Sequence, residues 1–343
     1  MTTADARIPA LTGAHRPGAV LASHVLPVRP AQVACWLLAL VFCALEPSAG
    51  PALLAALVVG TTSVRVAGRH LAGWALTWVR FRLLRHTDRR LGTDPLLVLA
   101  PDLRLRQHHD RAGHRFGAVG VEDGWSAVLR LDPGVEPDVT ALTAVLRQAC
   151  EAPEIPLSGA QLLVRTHRGQ RTYLLALRFR PADAPLAALS RGPGELGEHR
   201  ALTRAALDVL GALAERGYPA TVLEAGELAE ELRMSLGAQG EPLPGTAVDE
   251  GWRAWSGAGL VQTCFSPRAE LESAFRASAR GAVFTVASYR LHRTSQGRLH
   301  EEVLFRVAGS RVPRADELEV PVVPLYGRHE AAVRRTLPLA LPH

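Results

Sequence analysis

The sequence predicts an N-terminal two-helix transmembrane hairpin followed by a cytosolic α/β domain with a mixed sheet. Three observations lead there. Two uncharged apolar stretches, residues 31–45 and 51–64, lie close together near the start of the chain. A basic, tryptophan-bearing segment follows them at once. Beyond residue 92, strand-like alternation and helix-like stripes take turns to the C-terminus.

Composition narrows the function. The 343 residues leave room for about two domains or one large one. The formal charge is +6, yet all 39 basic residues are Arg, with no Lys and no Asn. Ile occurs only at Ile8 and Ile155. Such a bias looks like GC-rich coding, so the Arg excess needs no phosphate partner and nucleic acid is not expected as one. The missing Lys excludes a P-loop, a protein kinase and a pyridoxal enzyme, each of which needs an amine. Cys35, Cys43, Cys150 and Cys264 form no C-x-x-C pair and read as free thiols, not as a zinc site or a disulfide framework.

Residues 1–30, with Pro9, Pro17, Pro27 and Pro30, read as a disordered cytosolic leader. Residues 31–68 are the predicted hairpin, its two helices separated by "EPSAG". A cleaved signal peptide competes, since Arg29 and "SAG" fit it superficially, but the second apolar segment and its basic flank argue against cleavage. A buried soluble hairpin also competes, because fifteen residues span about 22 Å and a bilayer core about 30 Å. Both stretches are apolar all round, which suits lipid or deep burial. The second helix could lengthen if Arg65 carried its guanidinium to the interface.

Residues 69–91 read as an interfacial basic helix. Seven arginines lie between Arg65 and Arg90, while the loop between the apolar stretches has none. The positive-inside rule then places both termini and the main domain in the cytoplasm. Trp74 and Trp78, four apart, share a helix face and are assigned to headgroup depth. Arg80, Arg82 and Arg85 are assigned to anionic lipid phosphates and Arg65 and Arg69 to the membrane interface, with a plain stop-transfer flank without a specific lipid role as the alternative.

Residues 92–343 read as the α/β domain, divisible into two subdomains near Pro193. "HRFGAVGVEDGWSAVLRLD" is a hairpin turning at Asp123-Gly124, and "PDVTALTAVLRQAC" a helix ending near Cys150. "AQLLVRTHRGQRTYLLALRFR" is a hairpin turning at Gly169. On it Tyr173, Leu175, Leu177 and Phe179 share one face, and Arg178 and Arg180 the other. Leu202, Ala206, Val209 and Leu213 form a helical stripe stopped by Gly217. "PATVLE" is a short strand, "AGELAEELRMSLG" a helix, and Gly237–Gly245 a loop. "AGLVQTCFSPR", "GAVFTVASYRLHRT" and "HEEVLFRVAG" are strands, and a helix over His329–Leu337 closes the chain.

Several constellations resemble sites. Gly192, Gly194 and Gly197 spell G-x-G-x-x-G, but no strand precedes them directly and Pro193 sits inside, so a helix-start loop is expected. His108, His109, Asp110 and His114 have irregular spacing in a polar stretch and read as a solvated loop rather than a metal site. The pairs Glu230/Glu231 and Glu301/Glu302 read as solvent faces. No G-x-S-x-G elbow is present. No catalytic, cofactor or metal residue is assigned.

The order of segments, with the blocks "RGPGELGEHRALTRAALDVLGALAERGYPATVLEAGELAEEL" (Arg191–Leu232) and "DEGWRAWSGAGLVQTCFSPR" (Asp249–Arg268), resembles the EccE component of actinobacterial type VII (ESX) secretion systems from about Val28 onward. Trp252 and Trp255 form the most telling block and are expected to be core aromatics before a strand. The resemblance implies a non-catalytic structural subunit of the inner-membrane secretion complex. It implies EccB-, EccC- and EccD-like partners and membrane lipid, with ATP hydrolysis supplied by the EccC-like subunit. A membrane-anchored enzyme such as a nucleotide-sugar transferase and a lipid-binding adaptor are the alternative classes.

Overall fold

The computed structural model describes residues 30–45, 48–66, 69–84, 90–91, 94–110, 113–134, 136–238, 247–294 and 296–342. The expected leader, Arg85 and most of the 237–245 loop lie outside the described residues. Contacts divide the chain into two units, Met1–Gly73 and Trp74–His343.

In the first unit, α1 (Pro30–Leu45) and α2 (Ala49–Ser63) pack side by side. Trp36 Nε1 donates to Thr62 Oγ1 at 2.9 Å and Cys43 Sγ to the Pro51 carbonyl at 3.5 Å, so the helices run antiparallel. Thr61 and Thr62 return their hydroxyls to carbonyls one turn back, which lets polar residues sit in an apolar helix. The transmembrane hairpin expected from the sequence is corrected here. Among the described residues no helix is long and apolar enough to cross a membrane. The 16 and 15 residues of α1 and α2 rise only about 24 and 22 Å. Nor does α2 lengthen through Arg65. Val64 is already extended, its N–H bonds back to the Gly60 carbonyl, and the chain enters β1 (Arg65–Val66), which pairs with β2 (Arg69–His70).

Helix α3 (Leu71–Leu84) starts at the boundary of the units. The second unit then runs β3 (Arg90–Leu91), α4 (Pro95–Leu99), β4 (Arg104–His109), β5 (Arg115–Val121), β6 (Gly124–Leu131) and α5 (Val139–Glu151). It continues with β7 (Gly159–His167), β8 (Gln170–Phe179), α6 (Pro185–Leu189), α7 (Gly194–Glu215), β9 (Ala220–Val222) and α8 (Ala225–Leu236). Last come β10 (Ala247–Glu250), β11 (Trp255–Gly257), β12 (Leu260–Pro267), α9 (Leu271–Arg276), β13 (Phe284–Arg293), β14 (Leu299–Gly309), β15 (Val322–Pro324) and α10 (His329–Arg335).

The local signals explain most of these boundaries. Asp138 accepts from the Thr140 N–H at 2.8 Å and caps α5. Glu224 and Glu227 form a reciprocal capping box on α8, and Gly237, at φ +78°, ends that helix in the left-handed region. Arg168 and Gly169 both take positive φ in the two-residue turn between β7 and β8.

Thirteen strands form one sheet, ordered β3-β10-β11-β12-β14-β13-β7-β8-β6-β5-β4, with β15 beside β12 and β9 beside β6. Every pairing is antiparallel, which corrects the expected mixed sheet. The reason is visible at α5. It carries the chain from β6 to β7, but β8 slots between these strands and is antiparallel to both. Helical crossovers therefore produce no adjacent parallel pair.

Helices cover both faces. One core holds the stripes of α5 and α7 against Leu162, Val164, Leu175, Leu177, Tyr289 and Phe305. Tyr173 and Phe179 join it, as the alternation predicts, and so does the stripe Leu202, Ala206, Val209 and Leu213. At about 1.5–3 kcal/mol for each large apolar side chain buried, these stripes hold α7 in place. The other face was legible only as polar, from Arg178 and Arg180. It is a second core, where Leu163, Leu174, Ala176, Val286 and Leu304 meet Leu228, Leu232 and Leu236 of α8.

That second core contains a layer of charge. Arg165, Arg178, Arg290 and Arg306 are all buried on it. Arg165 pairs with Glu231 at 2.9 Å, and Arg290 and Arg335 converge on Glu302 at 3.1 and 2.6 Å. Arg306 donates to Gln262 Oε1 at 2.8 Å and to the Ser235 carbonyl at 2.6 Å. Arg178 donates to the Val121 carbonyl at 2.8 Å. Burial pushes the Arg178, Arg290 and Arg306 guanidiniums down to about 10. Glu231 and Glu302 are thus not solvent faces. In each acidic pair the first residue is exposed and the second turns inward, because neighbours along a strand or helix point to different sides.

Candidate functional site

Two of the residues singled out by the sequence, Trp74 and Trp252, meet at an aromatic junction on one side of the sheet domain. Helix α3 supplies Trp74, Thr77 and Phe81, which share a helix face at i, i+3 and i+7. Trp252 comes from the short connection between β10 and β11, closed by a 2.8 Å bond from the Gly251 N–H to the Ala254 carbonyl. Tyr326 comes from the turn between β15 and α10. Trp74 lies 6.3 Å from Trp252 and 5.6 Å from Tyr326, ring centre to ring centre. Phe81 meets Trp252 edge-on at 5.5 Å, and Trp252 meets Tyr326 at 6.0 Å. Pairs of this kind contribute about 0.5–1.5 kcal/mol each beyond their burial. Arg328 donates to Thr77 Oγ1 at 3.1 Å, and the Gly327 N–H donates to the Trp252 carbonyl at 2.8 Å. The arrangement fastens α3 to the domain.

The two tryptophans of α3 do not act alike. Trp74 turns to the protein, while Trp78 is half exposed. On the outward side Leu76, Val79 and Leu83 form an exposed apolar stripe, with Arg80 and Arg82 exposed on either flank. Arg65 and Arg69 lie in β1 and β2, and Arg85 is outside the described residues. Trp255 is fully buried at the start of β11. The sequence had put Trp74 and Trp252 in different roles, and the fold makes them neighbours. Phe81 was readable from its spacing to Trp74, whereas no local signal points to Tyr326.

Below the junction, His329 is fully buried and its Nδ1 accepts from the Cys264 N–H at 3.1 Å. Burial lowers its pKa from 6.5 to about 4, against a weaker upward pull from the Trp252 backbone. The unfolded chain therefore takes up a proton that the folded chain refuses. Stability is complete above about pH 6.5 and falls as pH drops from 6.5 to 4. The loss reaches about 3 kcal/mol by pH 4. Urea denaturation at pH 7 and pH 4.5 checks this. The fall should shrink by more than half in His329→Asn, whose side-chain oxygen can still accept from Cys264.

Parts of the remaining constellations are engaged in local contacts. Residues 104–109 form strand β4 rather than the expected solvated loop, since their alternate residues find partners on both faces of the sheet. His108 faces His199 at 5.9 Å, and His114 Nδ1 lies 2.9 Å from Asp110 Oδ2. Gly194 opens α7, as a helix-start loop should. A side chain at Gly197 would come within 2.2 Å of the Gly192 carbonyl oxygen and 2.4 Å of that of Ala188, so the glycine permits close approach of α6 to α7. Cys150 and Cys264 are buried thiols pushed up to about 12.

The fold and junction define the class: a three-layer domain, its antiparallel sheet between helices, with a basic helix, apolar on both its inner and outer sides, clamped to one side. Residues 168–266, from the β7–β8 turn almost to the end of β12, match the family described as "EccE: Putative type VII ESX secretion system translocon, EccE". Over this segment the chain is similar to the EccE family, and the resemblance read from residues 191–232 and 249–268 is borne out there. The match implies a component of a type VII secretion translocon and suggests the inner membrane as its location. No curated protein matches the chain.

Proposed function

We propose that the chain is a non-catalytic structural subunit of the inner-membrane type VII secretion complex. In this reading it supports assembly and stability of the machinery beside EccB-, EccC- and EccD-like subunits, with both termini and the main domain cytoplasmic. The observation that carries it is the family match at the centre of the sheet domain. Gly197, His108, Glu231 and Glu302, from the motifs that resemble sites, are engaged in packing or ion pairs, which supports a scaffold role. Isolating the complex from cells lacking this chain tests the reading. Loss of intact complex, restored by the wild-type chain, is the expected result. A complete and secreting complex without the chain overturns it.

Membrane lipid is the second proposed partner, bound peripherally by α3. Its outward stripe of Leu76, Val79 and Leu83 between Arg80 and Arg82 supports this. Each arginine near an anionic surface contributes about 1 kcal/mol. The double variant Arg80→Ala/Arg82→Ala should therefore bind anionic vesicles roughly 30-fold more weakly. Sedimentation with anionic and neutral vesicles measures it, and equal binding to both would sink the lipid role.

A further inference from the structure

The sheet has one long edge, and its residues are chemically biased. Strand β4 pairs with β5 through six residues, from Arg104↔Gly120 to His109↔Arg115, and among the described residues no strand pairs with its other side. In an antiparallel strand every second residue directs its N–H and C=O away from the partner. An open edge of this length invites another strand, and proteins commonly blunt such edges with charge.

The charge on β4 is of one sign. Arg104, Arg106 and His108 lie on one face, while Gln107 reaches the other, where its Oε1 accepts from the Ala225 N–H at 2.8 Å. His109 is exposed at the strand end. Two copies of β4 brought edge to edge would oppose arginine to arginine or histidine, so the edge rejects its own kind. It does not reject carboxylates. Glu195 of α7 already stands between the two arginines, its oxygens 3.5 Å from Arg104 and 4.0 Å from Arg106. These three side chains remain about half exposed, so a second carboxylate can reach the guanidiniums from the open side.

We propose that the outer edge of β4 is a docking site for an extended, acidic segment of another protein, which adds to the sheet as a further strand. Backbone hydrogen bonds supply the pairing, and Arg104 and Arg106 select carboxylates at alternate positions. The site lies outside the segment matched to the family and does not depend on the secretion reading.

The test uses the full chain and three synthetic heptapeptides: alternating Glu and Val, alternating Lys and Val, and the Glu/Val peptide N-methylated at alternate residues. The Glu/Val peptide should bind saturably and slow amide exchange at residues 104–109. The Lys/Val and N-methylated peptides should bind at least tenfold more weakly. Arg106→Glu should weaken the acidic peptide tenfold and favour the Lys/Val peptide. Arg106 is exposed and, among the described residues, its one ion pair is the loose 4.0 Å contact with Glu195, so this variant keeps the fold. Equal binding of the N-methylated peptide would reduce the effect to charge and overturn strand addition. So would tighter binding of a single-stranded oligonucleotide with the same Arg106 dependence, self-association of the chain through β4, or no saturable peptide binding.

Discussion

Replacing Glu231 by alanine is expected to lower the stability of the sheet domain by about 3–5 kcal/mol, because it leaves a buried arginine without its counter-charge. Glu231 on α8 and Arg165 on β7 are both almost fully buried and meet at 2.9 Å. Arg165 is close enough to Arg306 to disfavour the charge of that second guanidinium, so two cations share this part of the core. Removing both members of the pair is a different experiment. Arg165→Met with Glu231→Leu takes two ions out of the core and fills the space with apolar volume, and such exchanges are often neutral or stabilising. Urea denaturation of the single and double variants measures the difference. If the double variant loses as much as Glu231→Ala, the pair contributes more than mutual neutralisation and this account of the layer fails.

A loss of similar size, about 3–5 kcal/mol, is expected for Trp255→Ala. Trp255 is fully buried and belongs to the core that holds Val248, Cys264, Leu325 and Val333. Its strand pairs with β10 on one side and β12 on the other, so the surrounding backbone cannot collapse into the space left. Trp255→Phe should cost far less, about 1 kcal/mol. The indole Nε1–H is buried and has no hydrogen-bond partner among the described residues, so its removal offsets part of the lost volume. Denaturant midpoints for the two variants separate volume from polarity. Equal losses would mean that the indole N–H is satisfied in solution.

Much of the domain was readable because its signals are local. Capping by Asp138, the turn at Gly169, the stripe on α7 and the stop at Gly237 each act within a few residues of chain. The resemblance to EccE was readable for the same reason, since its blocks are contiguous. The junction was readable only in part. Trp74, Trp252 and Trp255 stood out as rare, large side chains, but their grouping depends on loops and turns far apart in sequence.

What the sequence by itself determined is therefore the type and boundaries of the strong elements, the first face of β8, and the resemblance to EccE. The tertiary structure alone decided three things. It made the sheet antiparallel throughout, because strand order depends on which strand inserts between two others, and β8 inserted between β6 and β7. It turned the arginine face of β8 into a second core, because α8 and α10 return to cover it and carboxylates arrive from distant segments. It ended α2 at Ser63, because pairing of β1 with β2 competes with further helix, and the span that remained was too short for a bilayer. Each is a long-range choice between alternatives that are nearly equal locally, and only packing distinguishes them.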